Sequence, residues 1–301
     1  MDHLVQLILN GLFVGSFYAL VALGYSMVYG IIKLLNFAHG DIYMLGAFAG
    51  FAILTFGGGA FAGGGSLLTL VIVMIMAMAL TGSAGLVLER VAYRPLRGAP
   101  RLSVLITAVG ASFALEYGIA LWAGPNPKVY AVQLESSTLN FLGARITINQ
   151  IVMMLIAVAL MVGLDLLINK SRSGRAMRAI SQDPKACLFM GINVDSVIAR
   201  TFFIGSALAG AAGVMAGAYY GKIDFLMGFL IGLKAFTAAV IGGIGNVRGA
   251  VLGGVVLGLL ESFGTAFLGS EWRDVFAFGF LILFLTVKPT GLLGEKVTER
   301  V

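Results

Sequence analysis

Apolar runs divide the chain at near-regular intervals, around 4–29, 41–56, 67–88, 103–123, 148–168, 197–220, 225–243, 249–267 and 274–288. Most approach or exceed the roughly 20 residues that an α-helix needs to cross a bilayer. The runs at 67–88 and 148–168 are uninterrupted. The stretches 25–40 and 232–248 are rich in glycine and broken by polar residues, which predicts one or two broken or re-entrant helices there. The expected fold class is all-α: a polytopic transmembrane helical bundle of about 8–9 spans. Residues 1–301 form a single transmembrane domain, with no length left for a soluble one.

Composition supports lipid as the solvent. The chain is 59% hydrophobic and 11% charged, against about 25% charged for an ordinary soluble domain. The net charge of +6 then reports loop distribution and contact with an anionic leaflet rather than nucleic-acid binding. Met1-Asp2-His3 lacks the basic start of a signal peptide, so the first apolar run reads as a retained span. Cys187 is the single cysteine, which excludes an internal disulfide and a cysteine-based metal site. His3 and His39 are too few and too far apart in sequence to suggest a metal site.

Lysine and arginine set the orientation. Arg90, Arg94, Arg97 and Arg101 crowd the loop at 89–101, and Lys170, Arg172, Arg175, Arg178, Lys185 and Arg200 crowd 170–200. Both segments are expected in the cytoplasm. The uncharged 57–66 loop and the sparsely charged 124–147 loop suit the outside. An odd number of spans then places the N-terminus outside and the 288–301 tail inside. Glycines four apart (Gly11 and Gly15, Gly46 and Gly50, Gly213, Gly217 and Gly221, Gly245, Gly249 and Gly253) form rows that let helix backbones approach closely, within one subunit or between two.

The chain carries no P-loop, dinucleotide fingerprint, nucleophile elbow, metalloprotease helix or carboxylate cluster. It offers no enzyme site and no means of hydrolysing ATP. What it does offer is a polar segment, 170–196, holding a very short helix with its own start and stop signals. Asp183 can accept hydrogen bonds from first-turn N–H groups. Pro184 suits the first helical position, and Gly191 suits the left-handed residue that ends a helix. Between them stand Lys185, Ala186, Cys187, Leu188, Phe189 and Met190, with apolar surface from Ala186, Leu188, Phe189 and Met190. So short a helix needs packing. It can lie on the membrane surface with its basic flank on anionic lipid, or it can meet a protein partner.

Lys185-Ala186-Cys187-x3-Gly191 resembles the E-A-A-x3-G pattern of ABC-importer permeases, with Lys185 in place of Glu and Cys187 in place of Ala. Gly24-Tyr25-Ser26-Met27-Val28-Tyr29-Gly30, Asn36-Phe37-Ala38-His39-Gly40-Asp41, Glu89-Arg90-Val91-Ala92-Tyr93-Arg94-Pro95-Leu96-Arg97, Met190-Gly191-Ile192-Asn193, Lys234-Ala235-Phe236-Thr237-Ala238-Ala239-Val240-Ile241-Gly242-Gly243 and Pro289-Thr290-Gly291-Leu292 resemble the H-type permease of branched-chain amino acid ABC importers, in order and along the whole chain. The resemblance implies a non-catalytic inner-membrane transport subunit for Leu, Ile and Val, or for urea or another small polar solute in a related branch. It implies a homologous second permease, two cytoplasmic ATPases that bind the ATP and Mg, so that this chain needs no cofactor, and a periplasmic binding protein. It makes 183–191 the ATPase-coupling helix. The rival from another class is an ion-coupled secondary transporter, which would need carboxylates near the midplane.

Glu116, Lys234 and Glu261 fall inside predicted spans, where a charge costs about 2.5 kcal/mol or more. They are candidates for lining a translocation path, or for a buried ion pair of Lys234 with Glu116 or Glu261. His39 and Asp41 are expected at the inner end of a span as loop or cap residues.

Overall fold

The computed structural model describes residues 2–57, 67–130, 137–141 and 143–294. Most of the 57–66 loop, part of the 124–147 loop and the end of the basic tail lie outside the described residues.

The apolar runs form helices close to their expected bounds. They are α1 (Asp2–Ile32), α2 (His39–Phe56), α3 (Leu67–Leu88), α4 (Arg101–Ala123) and α5 (Ile148–Lys170) in the first half. After α5 come α6 (Arg172–Gln182), α7 (Pro184–Phe189), α8 (Val194–Tyr220), α9 (Met227–Gly242), α10 (Val247–Leu268) and α11 (Arg273–Val287). Among the described residues seven helices are long and apolar enough to cross a membrane, namely α1 to α5, α8 and α10. Helices α9 and α11 have only 16 and 15 residues, a reach of about 22–24 Å. The chain is a polytopic helical membrane protein.

Short β pairs lie between the helices. β1 (Lys128–Val129) pairs antiparallel with β4 (Lys222–Ile223), Lys128 opposite Ile223. β2 (Thr138–Phe141) pairs antiparallel with β3 (Ala144–Thr147). Large apolar side chains on α3, α4 and α5 are exposed, including Leu80, Ile106, Leu121 and Leu155. That is what helices facing hydrocarbon or a partner helix require.

The glycine rows close the core within the subunit. Gly15 packs on Gly254 and Val255, Gly46 on Gly210, Gly213 on Tyr43, and Gly253 on Ala238. Gly245 lies beside Gly30 of α1, whereas Gly221 faces open space. Gly221 takes a left-handed φ of 67° that ends α8. At Gly46 an added Cβ would collide with the backbone of Gly210, which no rotamer change can relieve. Gly46→Val should therefore overpack the α2–α8 contact at a cost of about 1–3 kcal/mol. Gly110→Ala, facing open space, is the control. A lower unfolding temperature in detergent for Gly46→Val alone is the expected reading.

Neither α1 nor α9 is itself broken, but the chain at 25–40 is re-entrant. α1 runs unbroken through 25–32, and α9 is continuous to Gly242. The interruption near 25–40 is the non-helical segment 33–38, which turns back into the bundle before α2 begins. The near-absence of space at Gly24 shows how far it turns. Gly24 faces the His39 imidazole and sits eight residues, or about 12 Å, from the end of α1. Gly40 packs on Gly232, ten residues or about 15 Å from the end of α9. His39 and Asp41 are thus not at the inner end of a span. They begin α2 deep in the helical layer, each about 1% exposed.

Candidate functional site

The segment after α5 is more ordered than a polar loop. Ser171 caps α6, accepting from the Gly174 N–H at 2.9 Å. The basic residues of α6 face outward, and Gly174, Met177 and Ile180 face inward. Sequence reading missed α6; the spacing of Met177 and Ile180 was its one signal.

α7 follows at once. The Asp183 carboxylate accepts from the N–H groups of Lys185 (2.8 Å) and Ala186 (3.0 Å). At the other end Met190 N donates to Ala186 O and Ile192 N to Cys187 O, with Gly191 at φ 76°. The helix has two distinct sides. Cys187 points inward, into a cluster with Met177, Ile180, Val197 and Ile198. Leu188, Phe189 and Met190 point outward at 60%, 91% and 81% exposure. Lys185 and Ala186 are also exposed. Of the two departures from the importer pattern, Cys187 is an internal anchor and Lys185 stands in solvent.

A charged clasp lies beside this segment. α3 continues past Leu88 as a π turn, Glu89–Tyr93, and a 3-10 turn, Arg94–Leu96. Arg94 and Arg97 both pair with Asp195 in the first turn of α8, and Arg97 also pairs with buried Glu89. Tyr93 donates to the Asn36 side-chain oxygen at 2.8 Å. The end of α3, the start of α8 and the 33–38 segment are thereby tied together beside α7. Neither the π turn nor this clasp was visible in the sequence pattern.

Deeper in, Lys234 and Glu261 meet and Glu116 stands apart. Lys234 Nζ lies 2.7 Å from Glu261 Oε1 and 2.7 Å from Asp274 Oδ1. Tyr18 donates its hydroxyl to Glu261 Oε2 at 2.7 Å, and Arg273 approaches the same oxygen at 3.5 Å. Lys234 and Glu261 are almost wholly buried, whereas Asp274 and Arg273 are about half exposed. Two cations and two carboxylates leave the cluster formally neutral. Asp274 and Arg273 were missed because they start a helix and look solvated. Against this cluster, between α1 and α10, opens a groove of about 270 Å³. Glu261, Arg273, Asn10 and Thr265 give it polar walls, and Leu7 and Val14 apolar ones.

Glu116 instead lies against Asp41. The Ser112 hydroxyl donates to Asp41 Oδ2. Ser112 is eleven residues, or about 16 Å, into α4, which agrees with the depth of His39. Among the described residues neither carboxylate forms an ion pair. One further carboxylate on a spanning helix escaped sequence reading: Asp165, near the end of α5, is held by Arg248 in the first turn of α10 at 3.1 Å.

The profile of a protein family described as "Branched-chain amino acid transport system / permease component" matches residues 7–285. The chain is 45% identical over 306 residues to the high-affinity branched-chain amino acid transport system permease protein BraD of Pseudomonas aeruginosa, covering 99% of this chain and 98% of that one. It is 43% identical over 307 residues to LivH of Salmonella typhimurium, with the same coverage. To LivM of Salmonella typhimurium, a permease protein of the high-affinity branched-chain amino acid transport system, it is 27% identical over 302 residues, covering 92% of this chain and 67% of LivM.

Proposed function

The chain belongs to the branched-chain amino acid transport permease family, and from that we propose that it is one permease subunit of an ATP-driven importer of Leu, Ile and Val in the bacterial inner membrane. The N-terminus is outside and the basic end of the bundle is in the cytoplasm. A homologous second permease pairs with it, consistent with its likeness to both LivH and LivM. A periplasmic binding protein delivers substrate from above, and two ATPases bind below.

The observation that carries this reading is the apolar tip of α7. Leu188, Phe189 and Met190 stand exposed at the basic end, on a helix capped at both ends and anchored by Cys187 to the core. A rigid apolar projection on an otherwise charged surface is suited to inserting into a protein groove. ATPase motion received there would reach α3 and α8 through the clasp of Arg94, Arg97 and Asp195. Alternating access needs two helix arrangements that the ATPase states favour differently, and no covalent chemistry in this chain. Glu261 and Arg273 are the charged lining of the groove on the outer half of α1 and α10, where a zwitterion with an apolar side chain finds both polar and apolar walls.

The test is uptake of labelled leucine by the complex reconstituted in vesicles, with unlabelled Leu, Val, Phe and urea as competitors. Uptake that needs ATP and is competed by Val but not by urea is expected. Absence of leucine uptake, with ATP-dependent uptake of labelled urea in its place, assigns the chain to the other branch. Uptake that persists without the ATPases and follows an ion gradient overturns the reading.

A further inference from the structure

A second groove, of about 420 Å³, lies away from Lys234 at the junction where α3 enters its π turn and α8 begins. From its walls we infer that it seats one anionic phospholipid of the leaflet at the basic end of the bundle, the phosphodiester on Arg90 and an acyl chain along α3.

The charge balance gives the headgroup. Glu89 and Asp195 are both in the wall, and both are already neutralised: Asp195 is shared by Arg94 and Arg97, and Glu89 is held by Arg97. Arg90 also lines the groove and forms no ion pair among the described residues. It is the surplus cation of the site. Hydrogen-bond donors converge on the same place. The Asn193 oxygen is taken by the Ser196 N–H at 3.0 Å, which leaves its amide NH2 as a free donor, and both Asn193 and Ser196 line the groove. A guanidinium, an amide and a hydroxyl suit the oxygens of a phosphodiester.

The apolar walls distinguish a lipid from a free phosphate. Leu86, Val87 and Ala199 complete the groove. Val87 and Val91 are 61% and 72% exposed, and they continue the hydrocarbon-facing surface of α3. Val87, Val91 and Arg94 recur at helical spacing with Arg90 between them, so apolar and cationic groups share one outward strip. The π turn at 89–93 sets this strip by inserting an extra residue into the helix, a feature that occurs often at functional sites. A soluble anion would use Arg90 and leave Leu86 and Val87 unexplained. The site lies beside the residues that join α7 to α8, so a bound lipid would pack against the Arg94–Asp195 contact.

Native mass spectrometry of the purified complex tests this with phosphatidylglycerol and phosphatidylcholine of matched acyl chains. Preferential retention of phosphatidylglycerol is expected. Arg90→Gln should weaken it about fivefold, the worth of one cation at an anionic surface. Val87→Trp, which fills the groove and keeps the charge, should weaken it as well. Arg200→Gln, at an exposed basic residue outside the groove, should not. Equal retention of both lipids overturns the proposal, and so does an equal loss in Arg90→Gln and Arg200→Gln, which would mean diffuse attraction. A cross-link from Val87→Cys to the second permease, with lipid excluded, would make the groove a subunit contact and overturn it too.

Discussion

Lys234→Met is expected to leave little folded permease in the membrane. The substitution removes the cation that faces both Glu261 and Asp274. Asp274 is half exposed and keeps its hydration, but Glu261 is 1% exposed and cannot. Tyr18 still donates to it and Arg273 stands at 3.5 Å, which offsets only part of the loss. Breaking a buried pair from one side costs about 3–5 kcal/mol, a large share of a total stability of about 5–15 kcal/mol. Lys234→Met/Glu261→Gln should recover most of the folded protein, because the stranded carboxylate is gone and Tyr18 can donate to the amide oxygen. Measuring both the amount of assembled complex and uptake separates two roles. If the double variant assembles and still fails to transport, the charges act on the path. If it transports normally, the cluster only holds α9, α10 and α11 together, and Lys234 has no transport role. If Lys234→Met alone assembles in full, the buried pair is not a structural requirement.

How far this cluster could be foreseen shows what hydropathy carries. Helix positions were legible because a bilayer imposes a length on every apolar run: 67–88 coincides with α3, and 148–168 falls two residues short of the end of α5. The caps of α7 were legible because Asp183, Pro184 and Gly191 each satisfy a local backbone need. The partner of Lys234 was not, because Glu116 and Glu261 both sit inside spans and sequence gives no lateral neighbours. Packing decided it: α9 runs beside α10 and α11, while α4 approaches α2. Glycine gaps explain the misplaced depth of His39 and Asp41. Distance along the chain puts them at a loop, but the close approaches at Gly24, Gly40 and Gly46 draw the start of α2 into the layer. α6 was hidden because Arg172, Arg175 and Arg178 read as loop charge, while its buried face has only Gly174, Met177 and Ile180.

Phe189→Asp should have the opposite signature to Lys234→Met: normal assembly in the membrane with transport lost. Phe189 is 91% exposed, so the permease itself loses almost nothing, within about 0.5 kcal/mol for such a surface site. An aromatic anchor in a protein groove is typically worth 2 kcal/mol or more, which weakens docking by roughly 30-fold. Adding Gly191→Pro should complete the uncoupling. Its φ of 76° is closed to proline, and its N–H donates to Leu188 O, so the turn that ends α7 is lost. In proteoliposomes the double variant should keep its membrane level while substrate-stimulated ATP hydrolysis falls to the unstimulated rate. Unchanged stimulation would remove α7 from the coupling path. If the ATPases stay bound and only lipid contact at the basic end is lost, α7 is a membrane-surface helix, as its basic flank also allows.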